Sequence, residues 1–303
     1  MKLFRQAATA LFSFSIMSIG GISAAQEQDF SDVAIETVPV AENLYMLLGE
    51  GGNIGVLAGD DGVFLIDDQF APLTDKILAA VGEISEQPIR FLVNTHWHFD
   101  HTGGNENLGN AGVLIVAHDE VYTRMSTEQF IEAFQRPIPA SPSAALPVIT
   151  FSDTTTFHIN GQTVHAFHVD PAHTDGDTVI HFTDADVIHA GDTYFNGLYP
   201  FIDTSSGGSI VGMIQAAERI LALAGDETQI IPGHGPLSNR AELEAYRQML
   251  VTVRVRTERA IAQGLTLEEF LASDPTVDYD DAWGGGFLNP EQFLTIVYQD
   301  LAE

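Results

Sequence analysis

Cysteine is absent from the 303 residues, so no disulfide frame supports the fold and no thiolate can serve as nucleophile or metal ligand. Lysine occurs only as Lys2 and Lys76, and Lys and Arg together number 12 against 42 Asp and Glu, for a formal net charge of −30. A surface of that sign repels phosphate backbones and anionic lipid heads, which disfavours nucleic acid and membrane-surface partners. Small-molecule substrates that are neutral, zwitterionic or cationic suit it better, although a metal centre would be a local positive charge able to draw in one carboxylate. Long apolar runs are also missing, except near the N-terminus. There Lys2 and Arg5 precede an apolar, small-residue stretch over residues 7–22 that ends in Ser23-Ala24-Ala25. This is the layout of a secretory signal over residues 1–25, cleaved after Ala25, with a periplasmic or secreted destination. The stretch is too short, and too often interrupted by serine and glycine, to be a stable membrane anchor. No Pro/Ser-rich linker divides the remainder of the chain, so residues 26–303 read as one domain, long enough to bury its own core.

Histidine, by contrast, is concentrated. Three of the 11 histidines fall within His96-Trp97-His98-Phe99-Asp100-His101, between the apolar run at 89–93 and the pair Gly103-Gly104. Imidazole nitrogens and carboxylate oxygens are the ligands that zinc and similar cations prefer. His96 and His98, two apart in an extended segment, project to the same side. Asp100 and His101 sit where the chain turns away, so one loop can serve two ions, with His96 and His98 on one and Asp100 and His101 on the other. Two protein ligands per ion are too few, and further donors are required downstream.

The surrounding pattern supplies them. Strands are expected at 35–40, 44–48, 54–58, 63–67, 89–93 and 113–117, separated by turns such as Gly59-Asp60-Asp61-Gly62, with an amphipathic helix over 74–85. The glycine-rich loop at 49–53 reads equally as a flap over a site or as an ordinary hairpin turn. A short helix is expected over 127–134, followed by a proline-rich surface loop at 137–147. A hairpin about Asn160-Gly161 joins strands at 155–159 and 163–169, and its second strand runs into His173. Further strands at 178–182 and 187–190 lead to Asp192, and a short one at 230–232 delivers His234 between two glycines, which let backbone and ion approach closely. Like His96, all three lie at strand exits. His118, His158, His165, His168 and His181 lack that context and read as packing or surface residues; His189, close to Asp192, is a candidate support for a ligand. Helices over 209–224, 240–263, 265–271 and 290–301 complete the chain, the second opened by a capping residue within Ser238-Asn239-Arg240-Ala241-Glu242 and stopped by Gly264.

His96-Trp97-His98-Phe99-Asp100-His101, His173 in His-Thr-Asp-Gly-Asp, Asp192 in Ala-Gly-Asp and His234 in Pro-Gly-His-Gly together resemble the metallo-β-lactamase superfamily over roughly residues 35–250. The resemblance implies an α/β fold of αββα type, two βα halves (about 35–155 and 156–303) packed sheet to sheet with metals at one edge. It implies two Zn2+ ions, with iron or manganese as alternatives. His96, His98 and His173 would hold the first ion, Asp100, His101 and His234 the second, and Asp192 would bridge them. It further implies a hydrolase in which water activated between cations about 3.5–4 Å apart attacks a cyclic amide or ester carbonyl, with Asp100 as the catalytic carboxylate that orients it. Aspartate at 192, where the best-known zinc β-lactamases carry cysteine, and Phe195, where many carry a substrate-gripping lysine, resemble instead the thioester hydrolase and lactonase branches. A mononuclear iron oxygenase resembling persulfide dioxygenases would use His96, His173 and Asp192, and a metal-binding module without turnover is the remaining alternative. The loop at 193–202 carries Tyr194, Phe195, Tyr199 and Phe201, expected to wall the substrate pocket or to pack in the core.

Overall fold

The computed structural model describes residues 29–302; the expected export signal at 1–25 lies outside the described residues. The first half runs β1 (Glu36–Ala41), β2 (Leu44–Leu48), β3 (Ile54–Leu57), β4 (Val63–Ile66), α1 (Thr74–Ile84), β5 (Ile89–Val93), α2 (Phe99–Thr102), α3 (Asn105–Asn110), β6 (Leu114–His118), α4 (Asp119–Met125), β7 (Gln129–Ile131), β8 (Arg136–Ile138) and β9 (Ile149–Phe151). The second runs β10 (Thr154–Ile159), β11 (Gln162–His168), β12 (Thr178–Phe182), β13 (Val187–Phe195), α5 (Ile210–Leu223), β14 (Gln229–His234), β15 (Ser238–Asn239), α6 (Arg240–Ala262), α7 (Leu267–Leu271), α8 (Asp280–Trp283) and α9 (Pro290–Ala302). A seven-stranded sheet is ordered β1-β2-β3-β4-β5-β6-β9 and a six-stranded one β10-β11-β12-β13-β14-β15.

Strand chemistry explains the layering. β4 reads Val-Phe-Leu-Ile and is buried on both faces; with a side-chain period of two, Phe64 and Ile66 point one way and Val63 and Leu65 the other. Phe64 and Ile66 join Leu44, Val93, Val164, Ile180 and Ile231 in a cluster drawn from both sheets. Val63 and Leu65 join Ile77 and Val81 of α1 and Leu108 of α3. On the far side, Phe167, Ile188 and Ile230 pack with Met213 and Ile220 of α5 and Tyr246 and Leu250 of α6. The order is therefore helix, sheet, sheet, helix: the αββα sandwich. Among the described residues no helix is long and apolar enough to cross a membrane.

One expectation is overturned. Residues 127–134 do not form a helix: β7 and β8 make a separate antiparallel hairpin, Gln129 opposite Ile138 and Ile131 opposite Arg136, around a 3-10 turn at Glu132–Phe134 closed by Gln135 at φ 49°. Phe130, Ile131 and Pro137 favour extended backbone, and Ile131 gains burial in the helix-side core, which outweighs weak helical propensity. The proline-rich stretch after it also ends in a strand, β9, added parallel to β6.

The glycine loop at 49–53 is a close-packed stitch. Gly52 N–H donates to Asp100 O (3.1 Å) and Asn53 N–H to Gly233 O (2.7 Å). The Asn53 side-chain amide donates to Pro232 O (2.9 Å) and Gly235 O (2.8 Å), tying the first half to the loop that carries His234.

Candidate metal centre

All seven side chains implied as ligands converge at one edge of the sandwich: His96, His98, Asp100 and His101 follow β5, His173 follows β11, and Asp192 and His234 lie in the C-terminal parts of β13 and β14. Three sets have their ligand atoms within 4.8 Å of one another: His96, His98 and His173; His96, His101 and Asp192; Asp100, His101 and His234. Asp192 lies centrally. Its Oδ1 is 3.1 Å from His101 Nε2, and its Oδ2 is 3.4 Å from His234 Nε2, 3.5 Å from His173 Nε2 and 3.9 Å from His96 Nε2. Asp100 Oδ2 stands 3.4 Å from His234 Nε2 and 3.7 Å from His101 Nε2.

Four of the rings are held from behind. His96 Nδ1 donates to Thr95 Oγ1 (3.0 Å), His98 Nε2 to Asp203 Oδ2 (2.9 Å), His101 Nδ1 to Asp67 Oδ2 (2.8 Å) and His173 Nδ1 to Phe201 O (2.7 Å). Each bond fixes a tautomer and leaves the other nitrogen facing inward, the arrangement that orients metal-ligating histidines. Asp67 governs two rings at once, because Thr95 Oγ1 and Thr95 N–H also donate to its carboxylate (2.7 and 2.8 Å). Asp67 itself adopts φ 60°, a costly conformation for a non-glycine residue that the surrounding hydrogen bonds hold in place. Asp203 accepts from Ser206 Oγ (2.6 Å) as well as from His98, and Trp97 Nε1 donates to Ser206 Oγ (3.2 Å).

Charge is arranged for cations. Burial disfavours the charged ring of His101, but the carboxylates of Asp192, Asp100 and Asp67 outweigh it and hold its pKa well above the ordinary value. His234 is likewise opposed by burial and raised to about 9 by Asp192 and Asp100. Burial, then neighbouring His101, push His96 well down, and burial lowers His173 to about 4. Burial works against ionised Asp192, yet His101, His234 and His96 keep it well below the usual carboxylate range. Neutral inward-facing imidazoles on one side, and carboxylates drawing positive charge on the other, suit divalent ions that displace the protons on His101 and His234. The donor set passes a sharper test too. His96 Nε2 and Asp192 Oδ1 are buried polar atoms without a hydrogen-bond partner, which is costly unless something else satisfies them.

The four aromatics expected to wall a pocket separate into two pairs. Phe195 stacks on His234 (centroids 5.2 Å apart, 11° between planes) and Phe201 on His98 (5.7 Å, 29°), so both flank the ligand rings. Tyr194 and Tyr199 are core residues: Tyr194 hydroxyl meets Ser238 Oγ (2.7 Å) and its ring packs on Tyr246 of α6, while Tyr199 hydroxyl donates to Asp280 Oδ1 (2.8 Å) and its ring stacks on Phe293 of α9. Of the two alternatives for these tyrosines, pocket wall or core, the structure places both in the core. β13 continues to Phe195, past the expected end at 190, and carries Tyr194 beneath the helix layer. His189, the candidate supporting residue, binds backbone, with Nε2 donating to Asn53 O (3.1 Å) and Nδ1 accepting from Gly191 N–H (3.2 Å).

Asp203 is not legible as a site residue from the sequence, whereas Asp67, which follows an apolar strand as Asp192 does, is marked by the same pattern. Asp203 stands in a loop whose local pattern marks only a cap for Thr-Ser-Ser. Replacing Asp203 with asparagine is expected to weaken metal affinity by about 10- to 100-fold with the fold retained, as measured by competition against a chromogenic chelator.

Fold and site together define a protein that gathers metal ions at the edge of an αββα sandwich. A family model described as the metallo-beta-lactamase superfamily matches residues 47–249, and the chain belongs to that superfamily, whose members bind metal ions and are largely hydrolases. The chain is 23% identical over 242 residues to the alpha subunit of 2,4-dinitroanisole O-demethylase from a Nocardioides species, covering 78% of this chain and 69% of that one. It is 25% identical over 183 residues to a hydroxyacylglutathione hydrolase from a Polaromonas species (58% and 60% covered) and 22% over 258 residues to a linear primary-alkylsulfatase from a Pseudomonas species (71% and 48%). It thus spans less than two thirds of the latter two. Among solved structures, a metallo-beta-lactamase from Pontibacter korlensis superposes with TM-score 0.59 at 20% identity, covering 72% of this chain and 99% of that one. The DIM-1 metallo-beta-lactamase gives 0.57 at 18% identity, covering 73% and 99%. At these identities the likeness is one of fold.

Proposed function

We propose that the protein is an exported, dinuclear zinc hydrolase, β-lactamase-like, that opens a cyclic amide or ester. The observation that carries this reading is the convergence of His96, His98 and His173 with Asp100, His101 and His234 about Asp192, with two buried ligand atoms of the set, His96 Nε2 and Asp192 Oδ1, making no hydrogen bond. Two cations bound there would supply Lewis acidity at a carbonyl and water acidic enough to attack near neutral pH. The chain's own groups do the rest. Asp100, 23% exposed, and His234, 22% exposed, are the members of the set open to solvent, and Asp100 Oδ2 is placed to accept a hydrogen bond from the attacking water and then its proton. Phe195 and Phe201 bound the approach with apolar faces that exclude competing water. Asp67 and Asp203 keep the rings from turning as charge develops.

A thioester or lactone is the second substrate reading. It is favoured by an aspartate at 192 and by the similarity to a hydroxyacylglutathione hydrolase. Chelator-stripped protein titrated with zinc is expected to bind two equivalents and to gain about 4 kcal/mol of stability per site at free zinc near a thousand times Kd. The loaded protein is expected to hydrolyse at least one of a chromogenic cephalosporin, a lactone and an acyl thioester. Saturation by one iron with oxygen uptake and no hydrolysis would replace this reading with an oxygenase. Export is part of the proposal, and N-terminal sequencing of the mature protein is expected to begin at Gln26.

A further inference from the structure

The β7–β8 hairpin belongs to neither main sheet, and it leans over the metal centre. It is tethered by buried Ile131 and by Glu132 N–H donating to Ser205 Oγ (3.3 Å). From its turn Phe134, 38% exposed, reaches Phe201 (4.7 Å between centroids), the ring that stacks on His98 and lies 5.7 Å from His173. Phe287, 53% exposed, extends the same face, 5.4 Å from Phe134. The result is an aromatic shelf that starts at the ligand rings and runs outward to solvent.

Two residues on from Phe134, Arg136 is exposed and its guanidinium lies 4.2 Å over the ring of Phe99, the residue between His98 and Asp100. Its hydrogen-bond donors are unmatched. Lys76 is held by three backbone carbonyls. Arg90, Arg124, Arg219, Arg240, Arg247, Arg254 and Arg256 each donate to a carbonyl or pair with a carboxylate. Among the described cations, only Arg136 and Arg259 have no such partner, and Arg136 is the one beside the site. In a chain of net charge −30, a guanidinium fixed by stacking on Phe99, with its planar fork free, is a ready receptor for a carboxylate.

We propose that Arg136 binds the carboxylate of the substrate while the shelf of Phe201, Phe134 and Phe287 takes an apolar ring or acyl chain, so that the substrate class is an amphipathic monoanion. This rests on the hydrolase reading and adds the substrate's class. The negative field of the surface then acts as a filter: an anion gains entry only if its apolar part compensates on the shelf.

The test uses zinc-loaded protein and two unreactive probes, N-benzoylglycine and its neutral amide, with Kd measured by calorimetry. Arg136→Ala is expected to weaken the acid about tenfold and leave the amide unchanged. Arg136→Lys should recover part of the loss, since charge remains while the fork does not. Phe134→Ala should weaken both probes. Equal Kd for the acid in the native protein and Arg136→Ala, or an equal loss for acid and amide, overturns the assignment. Acid-over-amide discrimination that survives in a protein turning over nothing would sink the hydrolase reading and leave the anion site standing.

Discussion

On the proposed dinuclear zinc reading, Asp192→Ala is expected to release at least one of the two ions and to reduce kcat/KM by about a thousandfold, about 4 kcal/mol of transition-state stabilisation. Among the described residues no other side chain approaches four imidazoles: both its oxygens serve, at 3.1 to 3.9 Å from the Nε2 atoms of His101, His234, His173 and His96. Alanine leaves those nitrogens facing one another without an anion between them, and two divalent ions brought close together then repel without compensation. Elemental analysis of the dialysed variant, set beside its kinetics, measures both effects. Full occupancy with undiminished turnover would show that Asp192 does not bridge. The carboxylate also balances cationic His101 and His234 when no ion is bound, so the ion-free variant should show lowered pKa values for both rings in histidine NMR titrations.

Gly52→Ala should be nearly as damaging although residue 52 carries no functional group. A Cβ there would stand 2.0 Å from His101 Cε1 and 2.5 Å from each ring nitrogen. The ring cannot swing aside cheaply, because Asp67 grips its Nδ1 in a fully buried pair. Either the glycine loop withdraws, breaking Gly52 N–H to Asp100 O, or the imidazole leaves its place; overpacking of this kind costs about 1–3 kcal/mol of stability. Loss of about a hundredfold in activity, with metal stoichiometry falling from the proposed two towards one, is the expected result. Gly233→Ala should behave alike, its Cβ falling 2.0 Å from Asp192 Oδ1. Gly285→Ala, with nothing within 4 Å, is the control that should change neither quantity.

The sequence is informative about the centre because a metal site needs particular atoms, and histidines placed at strand exits advertise them. His96, His98, His101, His173 and His234 can be picked out with Asp100 and Asp192, and the structure brings all seven together. The sandwich is less visible: apolar strands such as Val63–Ile66 announce burial on both faces, but sheet order depends on long-range pairing that no local pattern encodes. Residues that act on the ligands are mostly hidden. Asp203 meets His98 across 105 positions of chain, and nothing near it marks the encounter. Residues 127–134, the first part of the β7–β8 hairpin, read wrongly as a helix because short segments obey tertiary packing more than propensity. Aromatic composition alone cannot separate Phe195 and Phe201, beside the rings, from Tyr194 and Tyr199, beneath the helices.

Asn53 carries one last implication. Its amide spans the seam to Pro232 and Gly235 using backbone groups alone, so the two halves are latched beside His234 by bonds that owe nothing to an ion. A cradle assembled during folding has already lost its conformational freedom, and little is left to rearrange on loading. Ion choice then rests on coordination preference and on which ions the surroundings supply, while exchange of one ion for another leaves the architecture untouched.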